Sequence, residues 1–116
     1  MKKTISILFL IVFVFFIGCS DSCDGENPSV KLINHGTGKA DIQIKTSGGN
    51  TENINNIQIG ESSAPKTFAQ GDIEFTIAIQ GVDDPIVYNL KIFDCADYIV
   101  TINGDNSVSG SSTQRD

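Results

Sequence analysis

From residue 29 onward the chain alternates apolar and polar positions in short runs, cut by Gly, Asn, Asp and Pro. Val30–Asn34 (VKLIN) sets Val30 and Leu32 on one face. Ala40–Thr46 (ADIQIKT) turns Ala40, Ile42, Ile44 and Thr46 one way and Asp41, Gln43 and Lys45 the other. Period two with one apolar side is the pattern of a half-buried strand. After the polar stretch SGGNTEN, Ile54–Ile59 offers Ile57 and Ile59 as alternate anchors. Asp72–Gln80 (DIEFTIAIQ) alternates most cleanly, with Ile73, Phe75, Ile77 and Ile79 together. Ile86–Phe93 matches it with Ile86, Tyr88, Leu90 and Ile92, and GVDDP between the two reads as a hairpin connection. Tyr98–Ile102 adds Tyr98, Val100 and Ile102.

In the connection GESSAPKTFAQG, Phe68 is the one large side chain able to fill a core, and Pro65 fits a ladder only at an edge or a bend. No helical period occurs after Ile17. About seven strands spaced some ten residues apart predict an all-β fold, a small antiparallel β-sandwich of immunoglobulin-like or transthyretin-like type over residues 29–105. With no tryptophan in the chain, the core rests on Ile, Val, Leu and Phe. Residues 106–116, ending SVSGSSTQRD, are polar and low in complexity and are expected to be disordered.

The N-terminus breaks the pattern. Lys2 and Lys3 precede a run, Ile5 to Ile17, in which Ser6 is the lone polar residue. Thirteen helical residues would reach about 20 Å, short of the ~30 Å hydrocarbon core of a bilayer. A basic start, a short apolar stretch and a small residue are the marks of a secretory signal peptide. Here the small residue is Gly18, and Cys19 follows at once.

Phe16, Ile17, Gly18 and Cys19 resemble the lipobox of bacterial lipoproteins, departing from its commonest form at Phe16, where Leu is usual. The resemblance implies that residues 1–18 are removed and that diacylglycerol is attached to the sulfur of Cys19. Two or three acyl chains would then hold the protein stably on a membrane, at ~0.8 kcal/mol per buried methylene. Ser20 lacks the Asp that marks inner-membrane retention in enteric bacteria, so the likeness points to the outer membrane. Asp21, Asp24 and Glu26 resemble the acidic export tags of some lipoproteins, which leaves the periplasmic and the surface-exposed face both open. Residues 19–28 read as an acidic tether.

Losing residues 1–18 leaves 98, enough for one small domain, and takes the net charge from −6 to −8 because Lys2 and Lys3 go with them. That charge disfavours nucleic acid, whose phosphates call for Lys and Arg, and disfavours an electrostatic hold on anionic lipid. With Cys19 acylated, Cys23 and Cys95 remain as a pair in an oxidising compartment. A bridge between them would close a loop of 72 residues, a contribution of about 4 kcal/mol in the chain-entropy model. A zinc site is disfavoured, since two such cysteines and one histidine fall short of four ligands.

Catalytic chemistry finds no footing. His35 lies in the turn sequence NHGTG, and no GxSxG, HExxH or phosphate-cradling glycine loop is present. Acidic turns at DGEN, VDDP and NGDN make Asp24, Asp83, Asp84 and Asp105 weak calcium candidates, provided that DGEN meets one of the others at one end of the sandwich. Asp83 and Asp84 as glycosidase carboxylates fail, because adjacent residues in a tight turn cannot flank a sugar. The expectation is therefore a non-catalytic, cofactor-free, lipid-anchored envelope domain binding a protein or a glycan. The alternative is an accessory subunit of an envelope assembly, its exposed strand completed by a partner; a small hydrolase ranks third.

Overall fold

The structure, a computed structural model, describes Cys23 and residues 25–115. Eight strands form two four-stranded sheets: β1 (Ser29–Asn34), β2 (Ala40–Thr46), β3 (Thr51–Ile57), β4 (Lys66–Thr67), β5 (Gly71–Ile79), β6 (Ile86–Ile92), β7 (Ala96–Ile102) and β8 (Val108–Gln114). One sheet has the order β4-β1-β7-β8 and the other β3-β2-β5-β6. Among the described residues there is no helix. The small all-β sandwich expected from the alternation is the fold observed.

The inward sets are those that the period marks. Val30, Leu32, Ile42, Ile44, Ile73, Phe75, Ile77, Val100 and Ile102 are almost wholly buried, and Phe68 closes the core from its connection. Each such side chain contributes roughly 1.5–3 kcal/mol against remaining in water. Ile86, Tyr88 and Leu90 are half-buried, as befits the edge strand β6.

Three features depart from the local pattern. First, β1 runs parallel to β7, from Ser29 beside Asp97 to Asn34 beside Ile102, while every other pair is antiparallel. Alternation within a strand fixes which face is buried and carries no information on its neighbour or direction.

Second, Ile59 is 57% exposed rather than an anchor. Between Ala40↔Ile57 and Ile42↔Ile54 the strand β3 carries one extra residue. This bulge sits at Asn56, whose φ is 62° and whose N–H donates to Asp41 Oδ1 at 2.7 Å. Asparagine tolerates that left-handed conformation better than most residues. The bulge resets the phase so that Ile57 points inward, and β3 ends there, leaving Ile59 in the turn beyond.

Third, the C-terminal tail is strand β8, paired with β7 from Ala96↔Gln114 to Ile102↔Val108. The domain thus extends through Gln114 rather than stopping at 105. Its side chains are nearly all exposed, so the main-chain ladder holds it without a hydrophobic stripe. A Cβ at Gly110 would come within 2.5 Å of Tyr88 Oη, which explains why the strand is small and polar where it passes β6.

Pro65 behaves as its ring requires. The segment from Glu61 runs antiparallel along β1, with Asn34 N–H donating to Glu61 O and Ser63 N–H to Leu32 O. It breaks at Pro65 and resumes as β4 at the edge of the sheet.

Candidate functional site

Strand directions give the sandwich two unlike ends. The far end gathers the β1–β2 turn (35–39), the turn after β3, the β5–β6 hairpin (80–85) and the β7–β8 hairpin (103–107). The base gathers the start of β1, the β2–β3 hairpin (47–50), the β6–β7 connection (93–95) and the end of β8.

At the far end the organising residue is Asn34, a fully buried polar side chain. Its Nδ2 donates to Gly38 O at 2.9 Å and to Ile57 O at 2.8 Å, and its Oδ1 accepts from Gly36 N–H at 2.8 Å. One amide thereby ties the first turn to the end of β3 across the two sheets. Asn106 joins the same turn to the β7–β8 hairpin: Thr37 N–H donates to its Oδ1 at 3.0 Å, and its Nδ2 donates to Thr37 Oγ1 at 2.9 Å. These loops are cross-braced by hydrogen bonds.

His35 occupies the turn that its sequence suggests. It is exposed, and its N–H donates to Ile102 O. Asp83 and Asp84 lie exposed in the β5–β6 hairpin. Asp105 is engaged within its own turn, accepting from the Ser107 hydroxyl at 2.6 Å and the Ser107 N–H at 3.0 Å. Those bonds, the hydroxyl foremost, hold its carboxyl below the usual aspartate range. Asp24 lies outside the described residues, but its neighbours Gly25 and Glu26 lie with the base, since Cys95 N–H donates to Glu26 O at 2.9 Å. Gly25 and Glu26 thus lie at the opposite end of the sandwich from Asp83, Asp84 and Asp105. Among the described residues no three His, Cys, Asp or Glu side chains cluster as metal ligands do.

The base is a clamp on the incoming chain. Cys23 and Cys95 are joined in a disulfide, with Cα atoms 5.7 Å apart. Arg115 Nη1 donates to Glu26 Oε1 at 3.0 Å, and its Nη2 to Asn27 O at 2.6 Å and Ala96 O at 3.3 Å. Its Nε lies 3.2 Å from Asp97 Oδ1, an ion pair without a hydrogen bond. Ser29 Oγ donates to the same Asp97 oxygen at 2.7 Å. Sequence reasoning missed Arg115, because the polar tail around it gave no strand signal. The one available hint was that it is the sole cation in residues 106–116. Shallow open depressions flank Ser47 at this end, one of them lined by Gln70, Gly71, Asp72, Lys91, Ile92 and Phe93.

Cys19 and the rest of the lipobox lie outside the described residues. No protein-family model and no curated protein matches the chain. A solved structure of the C-terminal domain of AlgF from P. aeruginosa is similar in fold, with a TM-score of 0.50 at 10% identity, over 78% of this chain and 99% of that one. At that identity the likeness speaks for the β-sandwich alone.

Proposed function

We propose that this chain is an outer-membrane lipoprotein, acylated on Cys19, whose non-catalytic β-sandwich binds a protein or a glycan through the loops of its far end. The observation that carries the reading is the division of labour between the two ends. The N-terminal segment is fastened to the base by a disulfide at Cys23, four residues after the cysteine of the lipobox, and by Arg115 at Glu26 and Asn27. The opposite end presents loops braced by Asn34 and Asn106, with Ile59 and Val82 exposed among them. Loops held by a rigid scaffold are the usual carriers of recognition. No cofactor enters this reading.

The second reading, an accessory subunit completed by strand pairing, is favoured by a different observation. Strands β6 and β8, seven residues each, are the outer strands of their sheets on the same side of the sandwich, where Tyr88 meets Gly110. An open edge can accept a partner's strand.

Crosslinking in intact cells separates the two. Photo-reactive residues at Ile59 and Val82 are expected to capture a partner, and those at Val87 and Ser111 to capture none. Capture confined to Val87 and Ser111 would sink the loop reading in favour of the edge. A glycan array then tells a sugar from a protein, and protease shaving of whole cells decides the membrane face.

A further inference from the structure

We infer that the base of the sandwich is apposed to the lipid surface, with Phe93 as an interfacial side chain; this rests on the lipid anchor proposed above. Four residue steps separate Cys19 from Cys23 and span at most about 14 Å. Among the described residues Cys23 comes first, and the disulfide holds it to Cys95, with their Cα atoms 5.7 Å apart. Phe93 is two residues from Cys95, within about 7 Å. A lipid on Cys19 therefore brings the headgroup region within reach of Phe93, whereas without the bridge the first tie to the base would be three residues later, at Glu26.

Phe93 is 58% exposed. Its placement is fixed on both sides: its N–H donates to the Tyr98 hydroxyl at 2.9 Å, and the next N–H, of Asp94, donates to Gln70 Oε1 at 3.1 Å. Cys95, which ends this three-residue connection, is bridged and has a φ of 66°. The ring is thus held outward by a braced turn. Ile59 and Val82, also exposed, belong to the far end, and Val87 to the outer face of β6, so among the described residues Phe93 is the large apolar side chain that the base presents.

The contact is apolar in character. Lys91 faces Asp72 at 3.8 Å, and Arg115 is engaged by Glu26 and Asp97. Among the described residues Lys45, exposed at the base end of β2, is unpaired, but Asp94 in the β6–β7 connection is unpaired too, so the base carries no positive surplus to draw anionic headgroups. Aromatic side chains seat themselves a few ångströms into the headgroup boundary without such help.

The absence of tryptophan makes the test direct. Acylated full-length protein carrying Phe93→Trp, and separately Ile59→Trp, is reconstituted into phosphatidylcholine vesicles with and without brominated acyl chains. The indole introduced by Phe93→Trp is expected to shift to the blue and to lose about half its emission or more to bromine, unchanged by added salt. Ile59→Trp is expected to remain unquenched. Equal quenching of the two, or none in Phe93→Trp while the protein floats with the vesicles, overturns the inference and leaves the anchor standing. Failure of both proteins to float overturns the anchor and the inference together.

Discussion

Replacing Asn34 with alanine should damage this fold more than any other single polar substitution. The change removes two donated bonds and one accepted bond, and all three partners, Gly38 O, Ile57 O and Gly36 N–H, lie in buried residues. A buried group left unpaired costs about 1–3 kcal/mol, so three give on the order of 4 kcal/mol after partial relaxation. For a domain of this size, where each kcal/mol is worth roughly 4–8 °C, the melting temperature should fall by about 15–30 °C. Asn34→Asp is the sharper probe. Its carboxylate would still accept from Gly36 N–H, but would set a negative charge against the Gly38 and Ile57 carbonyl oxygens. Burial and those oxygens raise the folded pKa of the new carboxyl above its unfolded value near 3.9. Between the two values the folded state holds the extra proton, so the stability of this variant falls as pH rises and recovers on acidification. Urea titrations followed by far-ultraviolet circular dichroism at pH 7 and pH 5 read both effects. The reasoning fails if Asn34→Ala costs less than about 1 kcal/mol, or if Asn34→Asp gains nothing at the lower pH. Asn106→Gly, at a half-buried site whose φ of 68° glycine adopts without strain, serves as the control and should cost about 1 kcal/mol.

Three further outcomes follow from the base and the edges. Reduction of the Cys23–Cys95 bridge, or Cys23→Ser, should lower stability by about 2–4 kcal/mol in urea titration, and an unchanged midpoint would contradict the clamp. Truncation after Asp105 removes β8 and bares the edge of β7, which should aggregate or destabilise the domain; amide exchange in the intact protein should show Ser109–Gln114 partly protected, and free exchange throughout would return the tail to disorder. Asp105 has a lowered folded pKa, so its contribution is present above the unfolded carboxylate value and is lost as pH falls through the folded one. Asp105→Ala should therefore lose less stability between pH 5 and pH 2 than the parent, and an identical slope would refute that.

The sequence made the core legible because burial is written into local alternation: β5 and its partners read directly from Ile73, Phe75 and Ile77. What stayed hidden was non-local. The parallel pairing of β1 with β7 joins strands more than sixty residues apart and is written in neither strand alone. Strand β8 has no apolar stripe, because it lies at an edge where Tyr88 leaves room for little beyond Gly110. The bulge at Asn56 brings Ile57 into the core, and β3 ends there, so Ile59, two residues on, lies in the turn at the surface rather than in the expected core. The pairing of Cys23 with Cys95 was accessible by counting cysteines, whereas its clamp partner Arg115 was not, since charge-assisted bonds to Glu26 and Asn27 leave no periodic trace.

One measurement bears on the central proposal without intermediaries: the mass of the N-terminal peptide of the protein purified from its own membranes, alongside Cys19→Ser. The account requires a peptide that begins at residue 19 and carries acyl chains on that cysteine, lost in the variant. A peptide still holding the first eighteen residues, or a bare cysteine at the start of a protein free in the medium, would contradict it.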